Sequence, residues 1–254
     1  MLEAERYRAP ALDKGLEILE LLAAVDGGLS QAEIAKQLGR SPNELYRMLD
    51  TLVRRGYVER TDGDRYALTL KMFGLAQLHA PTRRLVNFAS PLMRELAAET
   101  RQANQLVVFD RGHAVVVSQK EAPGYWGISI RVGSHISLID TGSGRILLAY
   151  AAAARRQGMV DENPETTGQK ILPELSRRLD IVRDQGFETM ASVQIVGVYN
   201  LSAPVLAADG SAIAALTIPY IGLVNTEGAS PDMPTCISLL VRTCKELSHK
   251  AGAR

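Results

Sequence analysis

The stretch Ser30–Leu68, which reads SQAEIAKQLGRSPNELYRMLDTLVRRGYVERTDGDRYAL, decides the fold of the first part of this chain. A serine followed three residues later by a glutamate occurs in it twice, at Ser30 and at Ser41, and each pair is a capping box that begins a helix. Pro42 suits the first position of the second helix, and Gly39 suits the residue just past the end of the first. The stretch therefore predicts two helices joined by a very short turn.

The residues after Ser41 predict an amphipathic helix followed by a hairpin. Apolar side chains recur at the i, i+3, i+4 and i+7 spacing of one buried helix face, at Leu45, Met48, Leu49 and Leu52. The dipeptide Asp62-Gly63 then favours a tight turn between the β-prone segments around Tyr57 and Tyr66. Helix, turn, helix and hairpin together predict a winged helix-turn-helix, whose second helix normally lies in the major groove of DNA.

The length and charge of the chain limit what surrounds this module. A chain of 254 residues is too long for one winged helix and suits two domains. A protein that coats DNA without specificity is strongly basic, whereas the net charge here is only +1. Any DNA binding must therefore use locally placed cations.

The composition also indicates where the protein works. No run of about eighteen apolar residues occurs, so no membrane-spanning helix is expected. The first eight residues are charged and lack the apolar segment of a secretion signal, so a cytoplasmic location is expected. Cys236 and Cys244 have no histidine at metal-ligand spacing and are expected to be free buried thiols. We expect neither a metal site nor a cofactor.

Helical periodicity continues on both sides of the winged stretch. A helix is expected over residues 11–25, and the side chains expected to complete a three-helix core are Leu12, Leu16, Leu19, Leu22 and Ala23. The remaining apolar residues, Ile18 and Leu21, would be free for a dimer contact. A further helix over Leu68–Ala80, stopped by Pro81, is placed to link the two domains.

The second half of the chain alternates between strand and helix patterns. Strands are expected near residues 105–109, 114–118, 128–132, 187–192, 198–206 and 212–219. Helices are expected over residues 85–100, 142–154, 172–185 and 231–250. A largely antiparallel sheet flanked by helices makes an α+β domain, of a size that holds one small-molecule pocket.

Several motifs in a fixed order resemble the IclR-type transcriptional regulators. In the first half they are residues 11–16 (ALDKGL), 47–52 (RMLDTL) and 56–58 (GYV). In the second half they are residues 131–133 (RVG), 141–149 (TGSGRILLA), 185–187 (QGF), 196–205 (VGVYNLSAPV) and 214–218 (AALTI). The resemblance implies a winged helix-turn-helix over residues 1–68, a linker helix over 69–82 and a GAF-like effector-binding and oligomerisation domain over 83–254.

The resemblance also implies a function and partners. It implies a regulator, not an enzyme, that binds double-stranded DNA at a pseudo-palindromic operator and responds to a small-molecule effector. It further implies a homodimer through the N-terminal domains, or a homotetramer that also uses the effector domains.

In family members, effector contacts come from the glycine turn, the segment after the Gly-Phe pair and the last two strands. In this chain the corresponding residues are Gly142, Ser143, Met190, Ala191, Asn200, Ser202, Thr217 and Pro219. Family members usually carry Pro-Leu-His, a lysine and an acidic cluster where this chain has residues 137–139 (SLI), Arg145 and residues 189–193 (TMASV). These replacements favour an aromatic or acyl acid over a glyoxylate-like effector.

The residues themselves leave alternatives open in this second domain. Free N–H groups at the helix start after Thr141 suit a carboxylate, but an ordinary glycine turn has the same sequence. Trp126 is a candidate for the pocket wall or for a subunit interface. An enzyme would need Ser143 as nucleophile and His135 as base, and no acid that would orient the histidine is apparent.

The candidate DNA contacts lie at the start of the second helix and on the wing. They are Gln31, Ser41, Asn43, Glu44, Tyr46, Arg47, Arg60 and Arg65. Asparagine can pair with adenine and arginine with guanine in the major groove, while wing arginines suit phosphates. The alternatives are a solvated polar face, Arg47 held by Glu44 or Asp50, or a winged helix that contacts only protein.

Overall fold

The computed structural model describes residues 9–124, 127–163, 166, 168–222 and 231–253. The chain divides after Ala80 into two units, residues 1–80 and residues 81–254. No helix in these described ranges is both long and apolar enough to cross a membrane. Cys236 and Cys244 are free and buried, as the sequence predicts.

The first unit is a winged helix-turn-helix. Its helices are α1 (Pro10–Ala23), α2 (Gln31–Gln37), α3 (Pro42–Arg54) and α4 (Lys71–Leu78). Its strands, in antiparallel order β1-β3-β2, are β1 (Leu29–Ser30), β2 (Val58–Thr61) and β3 (Arg65–Leu68). Its core is built from Ile18, Leu22, Ile34, Leu45, Leu49, Val58 and Tyr66.

Helix α3 begins where the sequence predicts, because Ser41 and Pro42 occupy the cap and first helical positions. The wing turn is one residue longer than a two-residue hairpin, since Thr61 pairs with Arg65 and Asp64 adopts a φ of 58°. Aspartate tolerates this left-handed conformation better than most residues.

The expected inward face of α1 is correct only in part, because Leu22 is buried and Leu19 packs against the core, but other members are not. Ile18 is fully buried, whereas Leu12 and Leu16 are 62% and 47% exposed. The helix carries leucine or isoleucine around most of its circumference, so periodicity alone does not identify the face that packs on α3. The apolar surface left over is therefore formed by Leu12 and Leu16, not by Ile18 and Leu21.

The segment expected to form one linker helix is divided. Helix α4 ends at Leu78, and a new helix, α5 (Ala80–Thr100), begins before Pro81 and not after it. Proline has no N–H to lose in a first helical turn, so Pro81 fits the start of α5 as well as the end of a helix. No residue of α4 is buried.

The second unit is an α+β domain built on one antiparallel sheet in the order β6-β5-β4-β9-β8-β7. The strands are β4 (Asn104–Asp110), β5 (His113–Lys120), β6 (His135–Ile136), β7 (Glu188–Ala191), β8 (Val198–Leu206) and β9 (Ala212–Ile221). The helices after α5 are α6 (Gly142–Ala149), α7 (Ala153–Asp161), α8 (Pro173–Gln185) and α9 (Met233–Lys250).

Both faces of this sheet are covered. One face packs on α5 and α9, and Leu216 and Ile218 of β9 lie in that core. The other packs on α6, α7 and α8, and Ala215 of β9 lies in that second core. Because side chains alternate along a strand, Thr217 faces the same side as Ala215, towards α6.

Two expectations for this domain were wrong in detail. The strand expected over residues 128–132 is absent from the described segment 127–134, because pairing beyond β5 begins only where Gly133 N–H donates to Val116 O. The helix expected over residues 142–154 is two helices, α6 and α7. Arg156 donates to the Ala149 carbonyl at the break and so pairs one oxygen that the interrupted helix leaves free.

Candidate DNA-binding and effector-binding sites

The start of α3 is held by a compact set of polar contacts. The Glu44 carboxylate accepts hydrogen bonds from Ser41 N at 3.0 Å, Ser41 Oγ at 3.0 Å and Lys14 Nζ at 3.1 Å. The Ser41 backbone N–H contributes most to lowering the pKa of Glu44 to about 2, followed by the Lys14 bond. Ser41 and Glu44 are therefore engaged with each other before any DNA is bound.

Gln31 also supports this helix start. Its Nε2 donates to the Pro42 carbonyl at 2.8 Å, which joins the first turn of α2 to the first turn of α3. Three of the predicted DNA contacts thus set the position of α3.

The side chains that point away from the core at this end of α3 are Asn43, Tyr46 and Arg47. All three are exposed, and Tyr46 is 58% exposed although it is aromatic. Within the described ranges no hydrogen bond or ion pair engages Arg47, so neither Glu44 nor Asp50 holds it. The start of α3 therefore presents one amide, one phenol and one guanidinium ready to contact another molecule.

The two wing arginines differ in their surroundings. Arg60 pairs with Asp64 at 2.8 Å, with both side chains more than half exposed, and lies 6.0 Å from the centre of the Tyr66 ring. Arg65 donates to Gly28 O at 2.8 Å and lies 3.3 Å from a Glu33 carboxylate oxygen. Arg60 is held by a weak surface pair, whereas Arg65 joins the wing to the body of the first unit.

In the second unit, strand register brings the predicted effector residues together. Thr217 pairs with Ser202, and Ser202 pairs with Glu188. Two residues further along the same strands, Pro219 pairs with Asn200 and Asn200 with Met190. Residues paired directly across antiparallel strands share a face. We name these sets the Thr217 row and the Asn200 row.

Helix α6 places the glycine turn against these rows. Thr141 caps the helix by accepting from Gly144 N at 3.1 Å. A Cβ on Gly142 would lie 2.6 Å from Ser202 Oγ, and a Cβ on Gly144 would lie 2.3 Å from Leu138 O. Only glycine permits so close an approach, which explains why the turn has glycine at both positions.

Ser143 connects α6 to the Thr217 row. Thr217 Oγ1 lies 2.8 Å from Ser143 Oγ and 2.7 Å from Ser202 Oγ, and all three residues are buried. Three hydroxyl hydrogens serve two hydrogen bonds here, so one remains to donate to another acceptor. The backbone N–H groups at the start of α6 add positive potential at the same place. The arrangement suits a carboxylate or carbonyl oxygen.

Three candidates do not join this cluster. Ala191 pairs with Tyr199 and is exposed on the opposite face from Met190. Trp126 lies outside the described residues. His135 stacks on His113 with ring centroids 4.5 Å apart, while Ser143 bonds to Thr217, so the nucleophile–base pair that an enzyme would need is not formed.

The structure adds residues that the sequence did not indicate. Gln105 pairs with Thr217 and Gln119 pairs with Gln105, so the Thr217 row extends across five strands. Its other end is Glu188, which is fully buried and forms ion pairs with Arg178 and Arg145. Polar residues at the ends of apolar strands were the available signal, but only register shows that they are neighbours.

Two cavities in the second unit lie apart from these rows. One of about 610 Å³ lies beside α9, lined in part by Tyr150, Cys244 and His249. Another of about 440 Å³ lies beside His113, His135 and Asn163. A third, of about 410 Å³, is lined in part by Arg145 and Arg178, the ion-pair partners of Glu188 at the end of the Thr217 row. None of these three cavities is lined by a predicted effector residue.

Two family models match the chain, one for each unit. The IclR helix-turn-helix domain matches residues 11–62, and the C-terminal domain of the bacterial transcriptional regulator IclR matches residues 79–243. The regulator KdgR of Dickeya chrysanthemi is 30% identical over 225 residues, covering 87% of this chain and 73% of KdgR. The regulator BhcR of Paracoccus denitrificans is 28% identical over 250 residues, covering 96% of this chain and 88% of BhcR.

Solved structures share the whole fold. Thermotoga maritima IclR has a TM-score of 0.75 at 22% identity, covering 96% of this chain and 99% of that one. An IclR homologue from Microbacterium hydrocarbonoxydans, complexed with 4-hydroxybenzoate, has a TM-score of 0.76 at 20% identity, covering 95% and 98%. The start of α3 is exposed in the first unit, and a polar cluster surrounds Thr217 in the second. The chain belongs to the IclR family of DNA-binding transcriptional regulators with a C-terminal ligand-binding domain.

Proposed function

We propose that this protein binds a specific operator through α3 and that a small organic acid in the second unit changes its affinity for that operator. Residues 1–68 would bind DNA, 69–82 would link, and 83–254 would bind the effector and contribute to oligomerisation. The observation that carries the proposal is the exposed, unengaged trio of Asn43, Tyr46 and Arg47 at the start of α3.

The recognition chemistry follows from this trio. Arg47 suits the N7 and O6 acceptors of guanine and Asn43 suits adenine, while the backbone N–H groups at the start of α3 suit a phosphate. Arg60 can exchange its exposed partner Asp64 for a phosphate at little cost. Arg65, tied to Gly28 and Glu33, serves DNA binding by fixing the wing.

The apolar surface of the first unit supports a homodimer. Exposed large apolar side chains are concentrated on α1 and around α4, at Leu12, Leu16, Leu70, Met72, Phe73, Leu75 and Leu78. Such a surface in one unit is typical of a protein interface. Two copies joined here would read a pseudo-palindromic operator, and the second unit would extend the dimer to a tetramer.

DNA binding is tested by selection. The purified chain is used to select binders from a randomised duplex library in cytoplasm-like salt, and the enriched sequences are aligned. We expect a pseudo-palindrome whose half-sites lie one or two helical turns apart. If the selection enriches no common sequence, sequence-specific recognition is excluded.

The effector is proposed to bind with its acid group at Ser143, Thr217 and the start of α6, and with its apolar part against Met190 and Pro219. The homologue from M. hydrocarbonoxydans was crystallised with 4-hydroxybenzoate, an aromatic acid of this class. A thermal-shift screen of aromatic and aliphatic acids tests the proposal, because a ligand that binds only the folded state raises the unfolding midpoint. The active acid should shift wild type and fail to shift Ser143→Ala, while both retain the same operator affinity without effector.

A further inference from the structure

The Thr217 row is polar along its whole length, on a sheet face otherwise covered by an apolar core. From β5 to β7 its members are Gln119, Gln105, Thr217, Ser202 and Glu188. The proposed function uses the middle of the row, where the hydroxyls of Ser143, Thr217 and Ser202 meet. Glu188 is satisfied at one end by Arg145 and Arg178. At the other end, Gln119 Nε2 donates to Lys120 O at 3.5 Å, and no ion pair in the described part of the chain engages either glutamine.

Gln105 and Gln119 each keep a buried carbonyl oxygen that no donor in the described part of the chain reaches. Gln105 as a residue is only 2% exposed. Gln105 of β4 and Gln119 of β5 are paired directly across the two strands, yet neither side-chain amide donates to the Oε1 of the other. A buried amide oxygen without a donor lowers the stability of the folded protein. In native proteins such unpaired groups recur at functional sites.

Gln102 shows how the same side chain is satisfied elsewhere in this domain. Its Nε2 donates to Ile221 O at 2.9 Å, and its Oε1 accepts from Ile221 N at 3.2 Å. Asn104, next to Gln105 and on the other face of β4, also keeps a buried Oδ1 without a donor in the described part of the chain, although its Nδ2 donates to Met93 O. On the sheet face that carries the proposed effector-binding hydroxyls, the amide oxygens without a donor in the described part of the chain are those of Gln105 and Gln119.

The chemistry of an amide oxygen determines which ligand group could form a hydrogen bond with it. A carboxylate has no hydrogen to donate and would leave Oε1 unpaired, whereas a hydroxyl donates to Oε1 and can accept from the amide nitrogen. Neighbouring strands lie about 4.8 Å apart, so Gln105 is about 5 Å and Gln119 about 10 Å across the sheet from Thr217. A single small molecule can span that distance.

We propose that Gln105 and Gln119 determine effector specificity, and that the effector is a carboxylic acid bearing a hydroxyl group about 5–10 Å from its carboxylate. This inference rests on the proposed function, since it assigns the acid end to Ser143 and Thr217. The hydroxyl end binds the two glutamines, whose carbonyls become paired only in the complex.

The first test is whether Gln105 Oε1 is unpaired in the protein without ligand. Gln105→Met keeps the length of the side chain and removes the unpaired oxygen, so we expect a rise in the unfolding midpoint of about 2–4 °C. The control Gln102→Met loses two hydrogen bonds and should lower the midpoint. A lower midpoint in Gln105→Met as well would show that the amide is already satisfied and would overturn the inference.

Ligand preference is tested with matched acids by calorimetric titration of the full chain. The pairs are benzoate and 4-hydroxybenzoate, phenylacetate and 4-hydroxyphenylacetate, and hexanoate and 6-hydroxyhexanoate. Wild type should bind the hydroxylated member of at least one pair more than about tenfold more tightly, because a site built for a hydroxyl rejects an analogue without it. Gln105→Met and Gln119→Met should lose that preference and retain operator binding.

The outcomes separate this inference from the proposed function. Acids that bind with no hydroxyl preference, or with a preference that persists in both variants, would overturn the role of the glutamines and leave an acid effector in place. If no acid of either kind binds wild type, the acid-effector proposal fails, and the inference fails with it.

Discussion

At the residue scale, the proposed role of Arg47 is to distinguish specific from general DNA binding. It is exposed and unengaged by any described neighbour, so its guanidinium is available for a guanine edge. Arg47→Ala should weaken binding to the selected operator by about 1–3 kcal/mol, or roughly 5- to 150-fold. Fluorescence anisotropy with operator and scrambled duplexes measures both affinities, and the loss should be larger for the operator.

The control for this prediction is Arg94→Ala, which removes the same charge from an exposed position of α5 in the second unit. It should leave both affinities close to wild type. An equal loss on operator and scrambled DNA in Arg47→Ala would assign Arg47 to the phosphate backbone and not to a base.

The lowered pKa of Glu44 predicts that the stability of the fold depends on pH. Its folded-state pKa is lowered to about 2 from an ordinary value of 4.5, chiefly by the Ser41 N–H. A lowered pKa stabilises the fold above the unfolded value, and this contribution disappears as the pH falls from about 4.5 towards 2. Glu44→Gln should therefore unfold at a lower temperature than wild type at pH 7, and the difference should vanish near pH 2. A difference that is the same at both pH values would contradict this account.

At the element scale, the glycines of α6 control how closely it approaches the sheet. A Cβ on Gly144 would lie 2.3 Å from Leu138 O, a backbone atom that cannot move aside alone. Gly144→Ala should destabilise the second unit by about 1–3 kcal/mol through overpacking, as measured by urea unfolding.

The matched control is Gly158→Ala in α7. A Cβ there meets no atom within 4 Å, and the residue is exposed inside a helix. This substitution should stabilise the chain by about 0.5–1 kcal/mol, because alanine loses less backbone entropy in a helix than glycine. Equal losses in both variants would mean that helix propensity, not contact with Leu138, governs Gly144.

Elements differ in how well the sequence predicts them. The start of helix α3 was predicted to the residue, because Ser41, Pro42 and Glu44 carry local signals that need no tertiary partner. The inward face of α1 was predicted only in part, because leucine and isoleucine surround that helix and packing on α3 selects the side that is buried. The strand expected over residues 128–132 failed for the same reason, since a strand requires a neighbour with which to pair.

At the scale of the whole molecule, the exposed apolar surface of the first unit predicts assembly. Phe73 is 63% exposed on α4, a helix with no buried residue. Phe73→Glu should shift the assembly towards smaller species in sedimentation velocity and weaken binding to a full pseudo-palindrome much more than to a half-site. Ile181→Glu, on α8 at 51% exposed, introduces the same charge outside the first unit. If Phe73→Glu sediments as wild type, this surface is not an interface.

The proposed effector site also exists only at this scale. Its members come from α6, β7, β8 and β9 and span positions 142 to 219 in the sequence. Family resemblance supplied most of them, but strand register placed Gln105 and Gln119 beside them and put Ala191 on the other face. A one-residue change of register would reverse every such assignment.

The sequence by itself determined the winged helix-turn-helix, the α+β class of the second domain and the start of the recognition helix, because caps, turns and apolar periodicity act over a few residues. Tertiary structure decided the face of α1 that is buried, the linking of Arg65 to Gly28 and Glu33, and the composition of the Thr217 row. Those features depend on contacts between segments far apart in the chain, and such contacts leave no local pattern. The trio of Asn43, Tyr46 and Arg47 needed both: sequence put it on a helix start, and packing left it free.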